Sequence, residues 1–145
     1  MSNQAENQEL LQEIRNEHKA LRELLGATSR TLTKGKESVG DVSEMLVSLR
    51  NQLEQHFQNE EAVGFFDKIA AEAPRLAEKT QHIHKEHAKL IKTLKELAAF
   101  VTERSNWWDE TERRFQEFSR ELGHHESTET ELLMDAYMRD IGMGE

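Results

Sequence analysis

Four histidines and two glutamates are the residues of this chain best placed to do chemistry together: His18, His56, Glu60, His87, His125 and Glu129. His56 and Glu60 are four residues apart, as are His125 and Glu129. On a helix that spacing puts both side chains of a pair on one face. A His-x-x-x-Glu pair lets the imidazole bind one cation while the carboxylate, a turn away, reaches between two. Imidazole and carboxylate suit iron, manganese or zinc, and copper is also accommodated. With no cysteine in the chain, thiolate and disulfide chemistry are excluded.

The six residues fall on apolar stripes that read as four helices. The first stripe is Ile14, His18, Leu21, Leu25, Thr28 and Leu32, and the second is Val42, Leu46, Leu49, Leu53, His56, Glu60 and Val63. The third is Ile83, His87, Leu90, Leu94, Leu97 and Val101, and the fourth is Phe115, Phe118, Leu122, His125, Glu129, Leu132 and Ala136. Steps of three and four put each set on one helical face, so the six polar residues are expected to point inward. The halves also repeat. Adding 69 takes Ile14 to Ile83, Glu17-His18 to Glu86-His87, Leu53 to Leu122, His56 to His125 and Glu60 to Glu129. An internal duplication of a helical hairpin accounts for this.

Turn signals set the boundaries. Lys34-Gly35-Lys36-Glu37-Ser38 with Gly40 ends the first helix, and Asp41 with Glu44 reads as a capping box for the second. The second weakens around Gly64, and Pro74 suits the first turn of the third. Ser105-Asn106 can cap a fourth that starts at Trp107-Trp108 and runs to about Arg139. Short loops between long helices predict antiparallel neighbours. The expected fold is therefore all-α, a single 1–145 domain built as an up-down-up-down antiparallel four-helix bundle with an internal two-fold repeat.

Other function classes lack support. The formal net charge of −9 argues against nucleic acid and anionic membrane surfaces. No segment has the apolar length of a membrane span, the N-terminus lacks signal-peptide character, and a cytoplasmic location is expected. There is no Gly-rich phosphate loop and no nucleophile paired with a base. What remains is the cost of burying Glu60 and Glu129 on stripes that carry no Lys or Arg. An unpaired buried charge costs several kcal/mol, and pairing, protonation or metal coordination relieves it. A lone core histidine is more often a hydrogen-bonded packing residue than a ligand. Six such residues, symmetric across a repeat, favour a pseudo-twofold dinuclear metal site with bridging glutamates. His84 lies on the flank of the third stripe, with Arg15 as its repeat partner, and is expected not to be a required ligand. His82, His124, Glu17 and Glu86 read as ordinary exposed helix positions, and Met134, Met138 and Met143 as helix end and tail.

The segments EHKALRELL, HFQNEEAVGFF, HKEHAKLIKTL and HHESTETELL resemble the hemerythrin-like, HHE cation-binding family across essentially the whole chain. The resemblance implies a four-helix bundle with a non-haem di-iron centre, holding two iron ions where zinc or manganese would also be accepted. His18, His56 and Glu60 match the first- and second-helix ligands. The oxygen carriers of the family use His-x-x-x-His on the third helix, whereas Ile83 stands four residues before His87 here. They use His-x-x-x-x-Asp on the fourth, where this chain has His125-x-x-x-Glu129. The four-His, two-Glu set is similar to that of the bacterial repair-of-iron-centres proteins, which respond to nitric oxide and oxidative stress. Their small cysteine-bearing N-terminal domain has no counterpart in this sequence. A ferritin-like oxidase would need paired Glu-x-x-His motifs, and only Glu121-His124 fits. The expected partner is a small diatomic ligand (O2 or NO) or peroxide, in binding, sensing or detoxification. The competing expectations are iron storage or donation to a protein partner that receives iron, and a structural metal bundle.

Overall fold

The computed structural model describes the backbone of residues 2–62, 64–104 and 106–136, and their side chains from residue 8 onward except at 65. It is all-helical, with no strand among the described residues. Four long helices, α1 (Ser2–Leu32), α2 (Val39–Ala62), α4 (Ala77–Glu103) and α5 (Trp108–Asp135), are joined by a short α3 (Phe65–Glu72) and two 3-10 turns, Lys36–Ser38 and Pro74–Leu76. α1 packs on α2 and α5, and α4 packs on the same two. Each long helix thus buries its stripe against two neighbours in a closed ring. None of these helices is long and apolar enough to cross a membrane.

The expected stripes are the buried faces. Ile14, Leu21, Leu25, Thr28 and Leu32 of α1 are buried, as are Val42, Leu46, Leu49 and Leu53 of α2. So are Ile83, Leu90, Leu94, Leu97 and Val101 of α4, and Phe115, Phe118, Leu122 and Leu132 of α5. The apolar core is split in two. The larger cluster runs from Leu21 and Leu53 to Val101 and Phe115, and the smaller gathers Leu11, Ile14, Phe66, Ile69, Leu76, Ile83 and Leu132. Between them, by position along α1, α4 and α5, lie His18, His87, His125 and Glu129, while His56 and Glu60 follow Leu53 near the end of α2.

The ends of the elements differ from expectation in three places. α2 begins at Val39, running on from the 3-10 turn, so Asp41 lies inside its first turn and does not precede it as a cap. There its charge still complements the positive end of the helix dipole. α5 begins at Trp108 without a side-chain cap, while Ser105 lies outside the described residues, as do Val63, Met138, Arg139 and Met143. The third difference is α3. α2 stops shortly after Glu60, at a left-handed Gly64 with φ 66° that turns the chain out of the helix. α3 and the Pro74 turn then lay Phe66, Ile69 and Leu76 over the smaller cluster. Without them, the end of the core beyond Glu60 would face water.

One buried hydrogen bond fixes the opposite end, where Trp108 Nε1 donates to the Leu32 carbonyl oxygen at 2.8 Å. Trp108→Phe removes that donor at a position only 8 % exposed and leaves the carbonyl with its second bond alone, from the Gly35 N–H at 3.1 Å. We expect a loss of about 0.5–1.5 kcal/mol in chemical denaturation, the net value of one hydrogen bond. An unchanged midpoint would show that the Gly35 bond alone satisfies the carbonyl and that the indole bond adds nothing.

Candidate metal centre

His18, His56, Glu60, His87, His125 and Glu129 are all buried, none more than 4 % exposed. Each long helix contributes through the period that builds its stripe: α1 gives His18, α2 gives His56 and Glu60, α4 gives His87, and α5 gives His125 and Glu129. Donor atoms of His18, His56, Glu60 and Glu129 lie within 4.8 Å of one another, as do those of His87, His125 and Glu129. Glu129 belongs to both groups, so the structure brings all six sequence-predicted residues into one layer.

The two oxygens of Glu129 divide the four imidazoles into pairs. Oε1 is 3.0 Å from His18 Nε2 and 3.6 Å from His56 Nε2. Oε2 is 3.7 Å from His87 Nε2 and 3.5 Å from His125 Nε2. Glu60 Oε1 lies between the pairs, 3.4 Å from His56 Nε2 and 3.6 Å from His87 Nε2. Every imidazole turns Nε2 inward. Yet Nε2 of His56, His87 and His125, both oxygens of Glu60 and Oε2 of Glu129 have no hydrogen-bond partner. Buried polar atoms are normally paired, so six unsatisfied donors converging on one layer fit a cation-binding cluster and do not fit a packed core.

The electrostatics run the same way. Burial pushes the Glu60 carboxyl well above its usual range, and the neighbouring Glu129 adds to this. Burial also opposes ionisation of Glu129, but the adjacent Glu60, His125, His18 and His56 outweigh it and hold Glu129 well below the carboxylate range. Burial alone would lower His56; Glu129 and Glu17 overcome it and raise its pKa to about 9. His125 is likewise raised against burial, by Glu129 and Glu86. In the metal-free protein, protons therefore balance the buried carboxylates.

Behind each imidazole stands a carboxylate that sequence reasoning did not assign to the site. Glu17 Oε2 is 3.2 Å from His56 Nδ1, and Glu86 Oε1 is 2.7 Å from His125 Nδ1. Glu61 Oε1 is 3.5 Å from His87 Nδ1, and Glu126 Oε2 is 3.9 Å from His18 Nδ1. A carboxylate on Nδ1 fixes the ring and leaves Nε2 free to ligate. Glu17 and Glu86 had a signal: both precede a repeat-related histidine. Glu61 and Glu126 had none, because the repeat puts Thr130 and Phe57 at their counterpart positions. Phe57 instead stacks on His87, with ring centroids 3.8 Å apart. His84 and His82 are exposed and pair with Glu61 and Glu86 at 3.4 Å each.

A family model described as the hemerythrin HHE cation binding domain matches residues 9–137, a span that includes all six residues of the layer. No curated protein matches the chain, and no solved structure does.

A cation entering this layer must displace protons, since it needs the neutral imidazole and the ionised carboxylate. With His56 protonated below about pH 9, cation affinity should rise with pH across the range 7 to 9. The expected rise is up to about tenfold per unit for each proton displaced. Calorimetric titration in buffers of different ionisation enthalpy should register proton release at pH 7. Heats that do not depend on the buffer would contradict this.

Proposed function

The chain belongs to the hemerythrin HHE cation-binding domain family, and we propose that it holds two non-haem iron ions through His18, His56, Glu60, His87, His125 and Glu129. One observation carries this reading: Glu129 aims one oxygen at the His18–His56 pair and the other at the His87–His125 pair. A bridging carboxylate between two cations needs that division. Glu60, between His56 and His87, would be the second carboxylate shared by the pair. Zinc or manganese would be accepted by the same donors, and the family resemblance favours iron. The fold that goes with this centre is a single up-down-up-down antiparallel bundle with an internal two-fold repeat. The bond from the start of α5 to the end of α1 supports it.

The bound pair would act on a small ligand, O2, NO or peroxide, in binding, sensing or detoxification. Two irons, when bound, would supply one-electron redox chemistry and coordination positions for the small ligand. The chain's own residues do the rest. Glu86, Glu61 and Glu17 beside Nδ1 of His125, His87 and His56, and Thr130 Oγ1 3.5 Å from Nδ1 of His18, hold the four rings with Nε2 inward. Leu21, Leu53, Leu90 and Leu122 on one side and Ile14, Ile83 and Leu132 on the other exclude water. A cleft of about 430 Å³ between α1 and α2, lined by Ile14, Asn16, Glu17 and Asn59, reaches Glu60. It gives a small molecule a short approach to the layer.

Protein produced with iron should carry about two equivalents by elemental analysis, the number expected of a dinuclear site. The Glu60→Ala/Glu129→Ala double variant should lose the pair, and full occupancy in that variant would overturn the ligand assignment. After anaerobic reduction, addition of O2 or NO should change the optical spectrum. A spectrum inert to O2, NO and peroxide would leave a structural metal bundle, and rapid loss of iron to a chelator would favour a donor.

A further inference from the structure

We propose that Glu61, His84 and the outer nitrogen of His87 form a separate cation position at the surface, which captures a divalent transition-metal ion and passes it to the core layer. The proposal rests on the reading of that layer as a metal centre. Glu61, near the end of α2, places Oε1 3.4 Å from His84 Nδ1 and 3.5 Å from His87 Nδ1. The three donor atoms lie within 4.8 Å of one another. Two imidazole nitrogens and one carboxylate oxygen, with water completing the shell, are a common donor set for such ions.

A carboxylate beside surface histidines is usually no more than a weak ion pair. Three features separate this cluster from that case. The side chains of Glu61 and His84 are 44 % and 55 % exposed, but that of His87 is 5 % exposed. Its other nitrogen lies 3.6 Å from Glu60 and 3.7 Å from Glu129. The cluster is therefore continuous with the core through one side chain. It also exists in one half only, because the repeat puts Arg15 and Thr130 at the positions of His84 and Glu61. Finally, Phe66 of α3 packs edge-on to both rings, at 6.2 Å from His84 and 5.6 Å from His87. An adjoining cleft of about 510 Å³ between α2 and α4 is lined by Glu61 and His87 and gives an incoming ion an approach to them.

A neutral imidazole carries one proton and offers one lone pair. When His87 gives Nε2 to the core, its Nδ1 keeps the proton and donates toward Glu61. When Nδ1 serves the outer position, Nε2 keeps the proton. The outer donor set is thus complete only until His87 is committed inward, and capture stops once the core is filled.

The test is anaerobic stopped-flow loading of the metal-free full chain with limiting Co(II), followed by its visible absorption, with a separate equilibrium titration to saturation for the stoichiometry. Four proteins are compared: wild type, His84→Ala, His84→Asp, and His124→Ala as an exposed histidine outside the cluster. All four should reach the same final stoichiometry. His84→Ala should load about tenfold more slowly, the low end of what local capture contributes to an on-rate. His84→Asp, which restores a ligand oxygen, and His124→Ala should load at nearly the wild-type rate. Wild-type loading by His84→Ala would overturn the proposal. So would a lost equivalent at equilibrium, which would make His84 a ligand of the resident pair. If the wild type takes up no cobalt at all, the reading of the core layer fails first, and the outer position fails with it.

Discussion

Glu60 and Glu129 are two carboxylates in the middle of a helical core, 2 % and 0 % exposed, and no Lys or Arg pairs with either among the described residues. Removing a carboxylate from water without a counter-charge costs several kcal/mol. The rest of the structure follows from that constraint. Four imidazoles turn Nε2 toward the two acids, and the apolar core divides into clusters on either side of them. In the metal-free protein burial and the neighbouring Glu129 push the Glu60 carboxyl up, while Glu60 and the histidines hold Glu129 down. A pair of divalent cations relieves the same constraint without stored protons, which is why the family assignment and the electrostatics converge.

The repeat describes the inner shell and only half of the outer one. His18/His87, His56/His125, Glu60/Glu129 and Glu17/Glu86 are all preserved between the halves. Around them the halves differ in kind. Beside His18, Glu126 is 4 % exposed and faces Arg22 at 3.7 Å. The repeat puts Phe57 and Ile91 at those two positions, so a polar pair in one half is an apolar pair in the other. Burial raises the Glu126 carboxyl, and its oxygens have no hydrogen-bond partner. Two cations in this layer would thus have like ligands and unlike surroundings.

Much of this was legible in the sequence. Periodicity placed the stripes, because a helix buries every third or fourth residue, and the repeat singled out six polar residues at one depth. The four helices and the convergence of those six follow from that pattern. The outer carboxylates did not follow. Glu61 and Glu126 are flanking positions of their stripes, and whether a flanking glutamate meets solvent or an imidazole depends on how neighbouring helices are rotated. That rotation is a property of the packed ring. α3 was missed for a different reason: its eight residues are too few for a convincing period, and only the packed core exposes the apolar end that Phe66 and Ile69 must cover.

The most direct measurement is the anomalous diffraction of crystals of the iron-loaded protein. Two iron peaks about 3.5–4 Å apart are expected. One should lie against Nε2 of His18 and His56, the other against Nε2 of His87 and His125, with Glu129 contributing one oxygen to each. A single peak, or a pair of peaks that Glu129 does not bridge, would contradict the dinuclear centre.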